Sequence, residues 1–125
     1  MKTGRILILI LIAGILVFSG CSSENKELKK DAVNIADAMC KSIEAMKNLQ
    51  TADPADSVQI QRLQADYKKI EAEMTALNDE FRKKYVGNVN SKEFTDQFRK
   101  YLNEAMLDCK SLSKEDRAVF EKGAK

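Results

Sequence analysis

The sequence predicts an all-α protein: a three-helix antiparallel bundle in up-down-up order with a short fourth helix at the C-terminus, preceded by an N-terminal signal helix. Three observations predict it. Apolar residues recur in steps of three and four from Leu28 to Leu112, the spacing that gathers them on one face of a helix. Pro54, the sole proline, and Gly87 fall between the periodic stretches, where helices end. Outside the first twenty residues no β-branched run alternates with period two, so no strand competes.

The N-terminus has the three parts of a secretory signal. Lys2 and Arg5 form a basic start, Ile6 to Phe18 is apolar apart from Ala13 and Gly14, and the small residues Ser19 and Gly20 precede Cys21. As a helix the apolar run spans about 20 Å, against a hydrocarbon core of about 30 Å, which is short for a permanent membrane span. The tetrapeptide Phe18-Ser19-Gly20-Cys21 resembles the lipobox of bacterial lipoproteins, with Phe18 where Leu is usual. That resemblance implies that a dedicated signal peptidase recognises Phe18, Ser19 and Gly20. It further implies that the Cys21 thiol carries a diacylglyceryl group and that Cys21 becomes the mature N-terminus. The implied place is the bacterial cell envelope, on the periplasmic side of the outer membrane in a Gram-negative cell, because Ser22 rather than Asp follows the cysteine. It specifies an address and no activity. The expected organisation is a signal peptide over 1–20, the lipidated cysteine with a polar tether over 21–26, and the bundle over 27–125. A tether of five residues reaches at most roughly 18 Å, so the bundle stays close to the bilayer.

The first bundle helix is expected from Glu27 to Gln50, with Leu28, Ala32, Ile35, Met39, Ile43, Met46 and Leu49 on one face. Thr51-Ala52-Asp53-Pro54 interrupts it. Asp53 suits an N-cap, and Pro54 suits a first helical position that needs no amide donor. The second helix, Pro54 to Val86, is the most regular stretch, with Ile60, Leu63, Tyr67, Ile70, Met74, Leu77 and Phe81 alternating steps of three and four before Tyr85. Such a seam serves a coiled-coil partner or an intramolecular bundle equally well. Gly87 is the expected stop. Ser91 is the expected cap of the third helix, whose seam is Phe94, Phe98, Tyr101, Leu102, Ala105, Cys109 and Leu112. Ser113 with Asp116 reads as an acidic variant of the capping box, opening a last helix that Gly123 ends. Phe81, Tyr85, Phe94 and Phe98 are expected to cluster as core at the second connection.

Composition excludes several classes of function. Removal of residues 1–20 leaves 19 basic and 19 acidic residues, and the basic spots Lys68-Lys69 and Arg82-Lys83-Lys84 alternate with Glu71, Glu73, Asp79 and Glu80. A nucleic-acid binder would carry a basic excess along one face, so no nucleic-acid partner is expected. The chain has no His and no Trp. Lack of His removes the commonest general base and metal ligand, and no carboxylate pair is marked as acid and base. No catalytic residue, metal site or cofactor is expected, and the protein reads as no enzyme.

Cys40 and Cys109 carry the remaining chemical question. With Cys21 acylated they form an even pair in an oxidising compartment, for which a disulfide is the natural reading. In an idealised register Cys40 is level with position 64 of the middle helix and Cys109 with position 69. The offset is about 7.5 Å along the axis, borderline for a bridge whose Cα atoms must stand within roughly 7 Å. Two buried free thiols are the bland alternative. A soft-metal or thiol-redox site is the sharper one, because Met39, Cys40, Met106 and Cys109 would together suit copper(I). The leading expectation is a small non-enzymatic lipoprotein whose bundle contacts an envelope protein or stabilises an assembly beside the membrane.

Overall fold

The computed structural model describes residues 25–125, and among them there are four helices and no strand: α1 (Lys26–Thr51), α2 (Ser57–Lys84), α3 (Lys92–Met106) and α4 (Lys114–Ala124). The all-α expectation is met for these residues. The signal helix and its cleavage-site residues Phe18, Ser19, Gly20 and Cys21 lie outside them.

Helix α1 begins one residue earlier than the sequence suggests. Asn25 is its N-cap, with Oδ1 accepting the Leu28 N–H at 3.0 Å, which satisfies a donor that the first turn leaves unpaired. Its buried face is made largely of small side chains, Ala32, Ala36, Ala38 and Ala45 beside Leu28.

The connection to α2 corrects the expected cap. Asp53 does not cap the helix and Pro54 does not open it. The Asp53 carboxylate instead accepts the Ala55 N–H at 2.9 Å within the turn, and Asp56 caps α2 by accepting the Gln59 N–H at 2.9 Å. A proline in a tight turn and a proline at a first helical position both need φ near −65°, so the two read alike in sequence.

The α2 seam is placed as expected, but it is covered less than a core seam would be. Ile60, Leu63, Tyr67, Ile70, Met74, Leu77 and Phe81 are the half-buried positions of a helix in which no residue is fully buried. Tyr85, just past its end, is buried. Gly87 does not end α2 in a left-handed cap, since its φ is not positive. The helix stops at Lys84, and the chain turns through bonds from Asn88 N–H and Val89 N–H to the Tyr85 carbonyl, 2.8 and 3.2 Å.

Ser91 caps α3 as expected, accepting the Phe94 N–H at 3.4 Å. That helix ends at Met106, so Cys109 and Leu112 lie beyond it, in successive turns rather than on a helical seam. No glycine or proline stands in this segment, and the stop comes from tertiary structure. The Arg117 guanidinium donates to the carbonyls of Leu107 at 2.6 Å and Cys109 at 3.0 Å, taking up acceptors that further helix would have used. Ser113 caps α4, accepting the Asp116 N–H at 3.1 Å while its hydroxyl donates to the Asp116 carboxylate at 2.8 Å. Gly123 does not end α4, which continues to Ala124. It lies against the Asn103 side-chain amide, which would have to move to admit a Cβ there.

Two buried clusters hold the helices together. Leu28, Ala32, Tyr85 and Tyr101 form one, with Phe81, Phe94 and Phe98 against it. In the second, Ala36, Met106, Cys109 and Leu112 meet Met39, Cys40, Ile43, Leu102, Ala105 and Phe120. The four expected aromatics do cluster, with ring centroids 4.5 Å apart for Phe81 and Phe98, 4.8 Å for Phe81 and Tyr85, and 5.1 Å for Tyr85 and Phe94. The rings are tilted against one another, as their quadrupoles favour.

Candidate functional site

Cys40, on α1, and Cys109, after α3, stand at disulfide distance. Their sulfurs are 2.03 Å apart and their Cα atoms 5.7 Å apart, across 69 residues of sequence. The idealised register placed the pair at the edge of reach. Ending α3 at Met106 frees Cys109 from the helix and lets the chain carry it against α1. Met39 and Met106 pack in the same cluster as ordinary apolar side chains. With the sulfurs joined, neither cysteine offers the thiolate that a copper(I) site would need. Among the described residues no group of three or more His, Cys, Asp or Glu is placed to hold a metal ion.

A polar cluster that sequence reasoning missed joins α1 to the end of α2. Asp31 Oδ2 accepts hydrogen bonds from Lys84 Nζ and from the Tyr85 hydroxyl, each 2.7 Å, and Lys84 also pairs with Glu27 at 2.9 Å. Partial burial pushes the Asp31 carboxyl up, but the hydrogen bonds from Lys84 and Tyr85 outweigh it and hold the group below its ordinary value. Those same bonds from Lys84, to Asp31 first and then Glu27, raise the ammonium. Burial, followed by the bond to Asp31, raises the Tyr85 phenol. All three shifts stabilise the state with Asp31 charged, Lys84 charged and Tyr85 neutral. The signal for Tyr85 was its extra step of four after Phe81. Nothing in the sequence marked Asp31 as its partner.

A second unforeseen contact fixes the start of α1. The Asn25 N–H and the Gln97 side-chain amide both donate to the Tyr101 hydroxyl, each at 3.2 Å. Farther along, Lys47 Nζ donates to the Ser111 carbonyl.

Two clefts lie along α1 and α2. The cleft beside Asp31, Ile35, Phe81 and Lys84 holds about 120 Å³, below the roughly 300–1,000 Å³ of small-molecule sites. A wider groove of about 470 Å³, beside Ser42, Tyr67, Glu71 and Met74, is open to solvent. Neither brings together a nucleophile, a base and an oxyanion donor. Among the described residues, no helix is long and apolar enough to cross a membrane.

Fold and side chains thus define a class, a small helical bundle with a cysteine pair at disulfide distance. Compared with known proteins, the chain matches no family model, no curated protein and no solved structure.

Proposed function

We propose that this protein is a lipid-anchored, non-enzymatic lipoprotein of the bacterial envelope whose helical bundle binds a protein partner beside the membrane. The observation that carries the anchor is the run from Lys2 through the apolar Ile6–Phe18 to Phe18-Ser19-Gly20-Cys21. In this reading Phe18, Ser19 and Gly20 are the peptidase recognition residues, Cys21 bears the lipid, and Cys40 and Cys109 form a structural disulfide in the oxidising compartment. The helices α1, α2 and α3 run up, down and up. Supporting that order are the pairs Lys84 with Asp31 and Lys41 with Glu73, and the approach of Tyr101 to Asn25 and of Cys109 to Cys40.

The partner's contact is the half-covered seam of α2 from Ile60 to Leu77. An apolar stripe at coiled-coil spacing that its own fold leaves half exposed suits a helix laid into it.

Two measurements test the reading. Intact mass of the membrane-extracted protein should show loss of residues 1–20 and a diacylglyceryl adduct on Cys21, and labelling with a clickable fatty acid should vanish in Cys21→Ser. Equal labelling of both forms would overturn the anchor. A photo-cross-linker at Glu71, beside the open groove, should capture one envelope protein that the same probe at Asp79 does not. Identical adducts from both positions would remove the seam as the contact.

A further inference from the structure

The end of the bundle from which residues 1–24 depart carries a second feature. Lys84 at the close of α2 is paired with Glu27 and Asp31 in the first two turns of α1, so the α2–α3 loop and the start of α1 share that end. Asn25 at the head of α1 also bonds Tyr101 of α3. At the loop tip two large apolar side chains face solvent, Val86 at 75% and Val89 at 39% of full exposure. Buried contacts do not explain them, because the aromatic cluster ends at Tyr85 and resumes at Phe94.

Charge is distributed unevenly around these valines. Residues 24–31 and 82–100 hold nine basic and five acidic side chains, a net charge of +4, whereas the mature chain as a whole is neutral, so the remainder carries −4. Lys26, Lys30, Arg82 and Lys83 are exposed around this end. An apolar tip ringed by Lys and Arg is the composition of a surface that lies in the interface of an anionic bilayer. There, buried apolar area and attraction to acidic headgroups act together.

We propose that the loop 85–91 and its basic rim dock onto anionic phospholipid headgroups, with Val86 and Val89 entering the interface. The proposal rests on the anchor at Cys21, which leaves only residues 22–25 between the lipid and α1 and so brings this face to the bilayer. Docking would fix the long axis of the bundle to the membrane and hold the α2 seam at a set height for its partner. An acidic protein surface is the competing occupant, but it would not account for the departure of the anchor from the same end.

The chain contains no Trp, so Val86→Trp supplies a single reporter, and Val58→Trp, at an exposed position at the start of α2, supplies the control. Full-length protein from bacterial membranes is reconstituted into phosphatidylcholine vesicles with or without about one third phosphatidylglycerol, some with brominated acyl chains. Val86→Trp emission should shift to the blue and be quenched in the phosphatidylglycerol vesicles, and high salt should reverse both, while Val58→Trp should not respond. Adding Arg82→Glu and Lys83→Glu should lower the docking partition constant by at least about 25-fold, each basic residue near such a surface being worth about fivefold. Vesicle-bound protein in which the two reporters are quenched alike overturns docking and leaves the anchor standing. Selective quenching of Val86→Trp in protein whose Cys21 is unmodified by mass upholds the docking face and overturns the anchor.

Discussion

The Tyr85 hydroxyl donates a hydrogen bond of 2.7 Å to Asp31 Oδ2 across 54 residues of sequence, tying the residue that follows α2 to the second turn of α1. Lys84 completes the contact from the preceding position. Asp31, helped by Glu27 on Lys84, therefore ties the end of α2 to the start of α1.

Asp31 titrates below its ordinary 3.8, so its stabilising contribution is complete above about pH 4 and is lost as pH falls through the lowered value. Tyr85 titrates above 10.0, so its contribution is complete below about pH 10 and is lost as pH rises through the raised value. Denaturation midpoints should accordingly be level between these limits as far as this cluster is concerned. Asp31→Asn should lower the plateau and weaken the acid-side decline. An unchanged acid limb in the variant would show that other carboxylates govern it.

Joining Cys40 to Cys109 closes a loop with 69 residues of separation, and cross-links of that span stabilise by about 2–4 kcal/mol. Cys40→Ser and Cys109→Ser should each lower the urea midpoint by a corresponding amount, and the double variant should cost no more than either alone. Additive losses would instead assign the cost to packing around two free thiols. Protease mapping without reductant should recover the linked peptide from the wild type.

Met106 has no exposed surface in the second buried cluster. Met106→Ala should destabilise the fold by about 2–5 kcal/mol through lost transfer energy and the cavity left behind. Calorimetry reads this directly. A loss below about 1 kcal/mol would mean that Phe120 and Leu112 collapse into the space.

Arg117 supplies donors to the carbonyls of Leu107 and Cys109. Leaving them unpaired costs about 1–3 kcal/mol, localised to the junction of α3 and α4. Arg117→Met should raise proteolytic cleavage between 107 and 113 while leaving exchange of the α1 amides near wild type. Uniform loss of protection would show that α4 supports the whole bundle.

The first three helices were legible because each has an apolar stripe at a period of 3.6 residues, and the last because Ser113 and Asp116 form a capping box. The caps at Ser91 and Ser113 were legible because a short hydroxyl side chain before a helix has one obvious use. The positions of the α2 seam were also legible to the residue. How deeply it is buried was not, because burial depends on how far the neighbouring helices extend alongside it. Helix α3 packs its Phe94 and Phe98 against Phe81 and then follows α1, which leaves Ile60 to Leu77 half open.

By itself the sequence determined the all-α character and the four helical segments of the described residues, the aromatic cluster at the second connection and the expectation of an exported, lipidated N-terminus. These are local properties, set by periodicity, capping chemistry and short motifs. Only the tertiary structure decided that Asp56 rather than Asp53 caps α2, that α3 stops at Met106 under the Arg117 guanidinium, and that Gly123 sits inside α4 against Asn103. It also decided that Cys109 meets Cys40 and that Asp31 receives Lys84 and Tyr85. The caps and polar pairs among these depend on which of several adequate donors and acceptors the packed helices bring within about 3 Å, and the cysteine and glycine contacts on which chain segments the packing brings together, choices made in space and not along the chain.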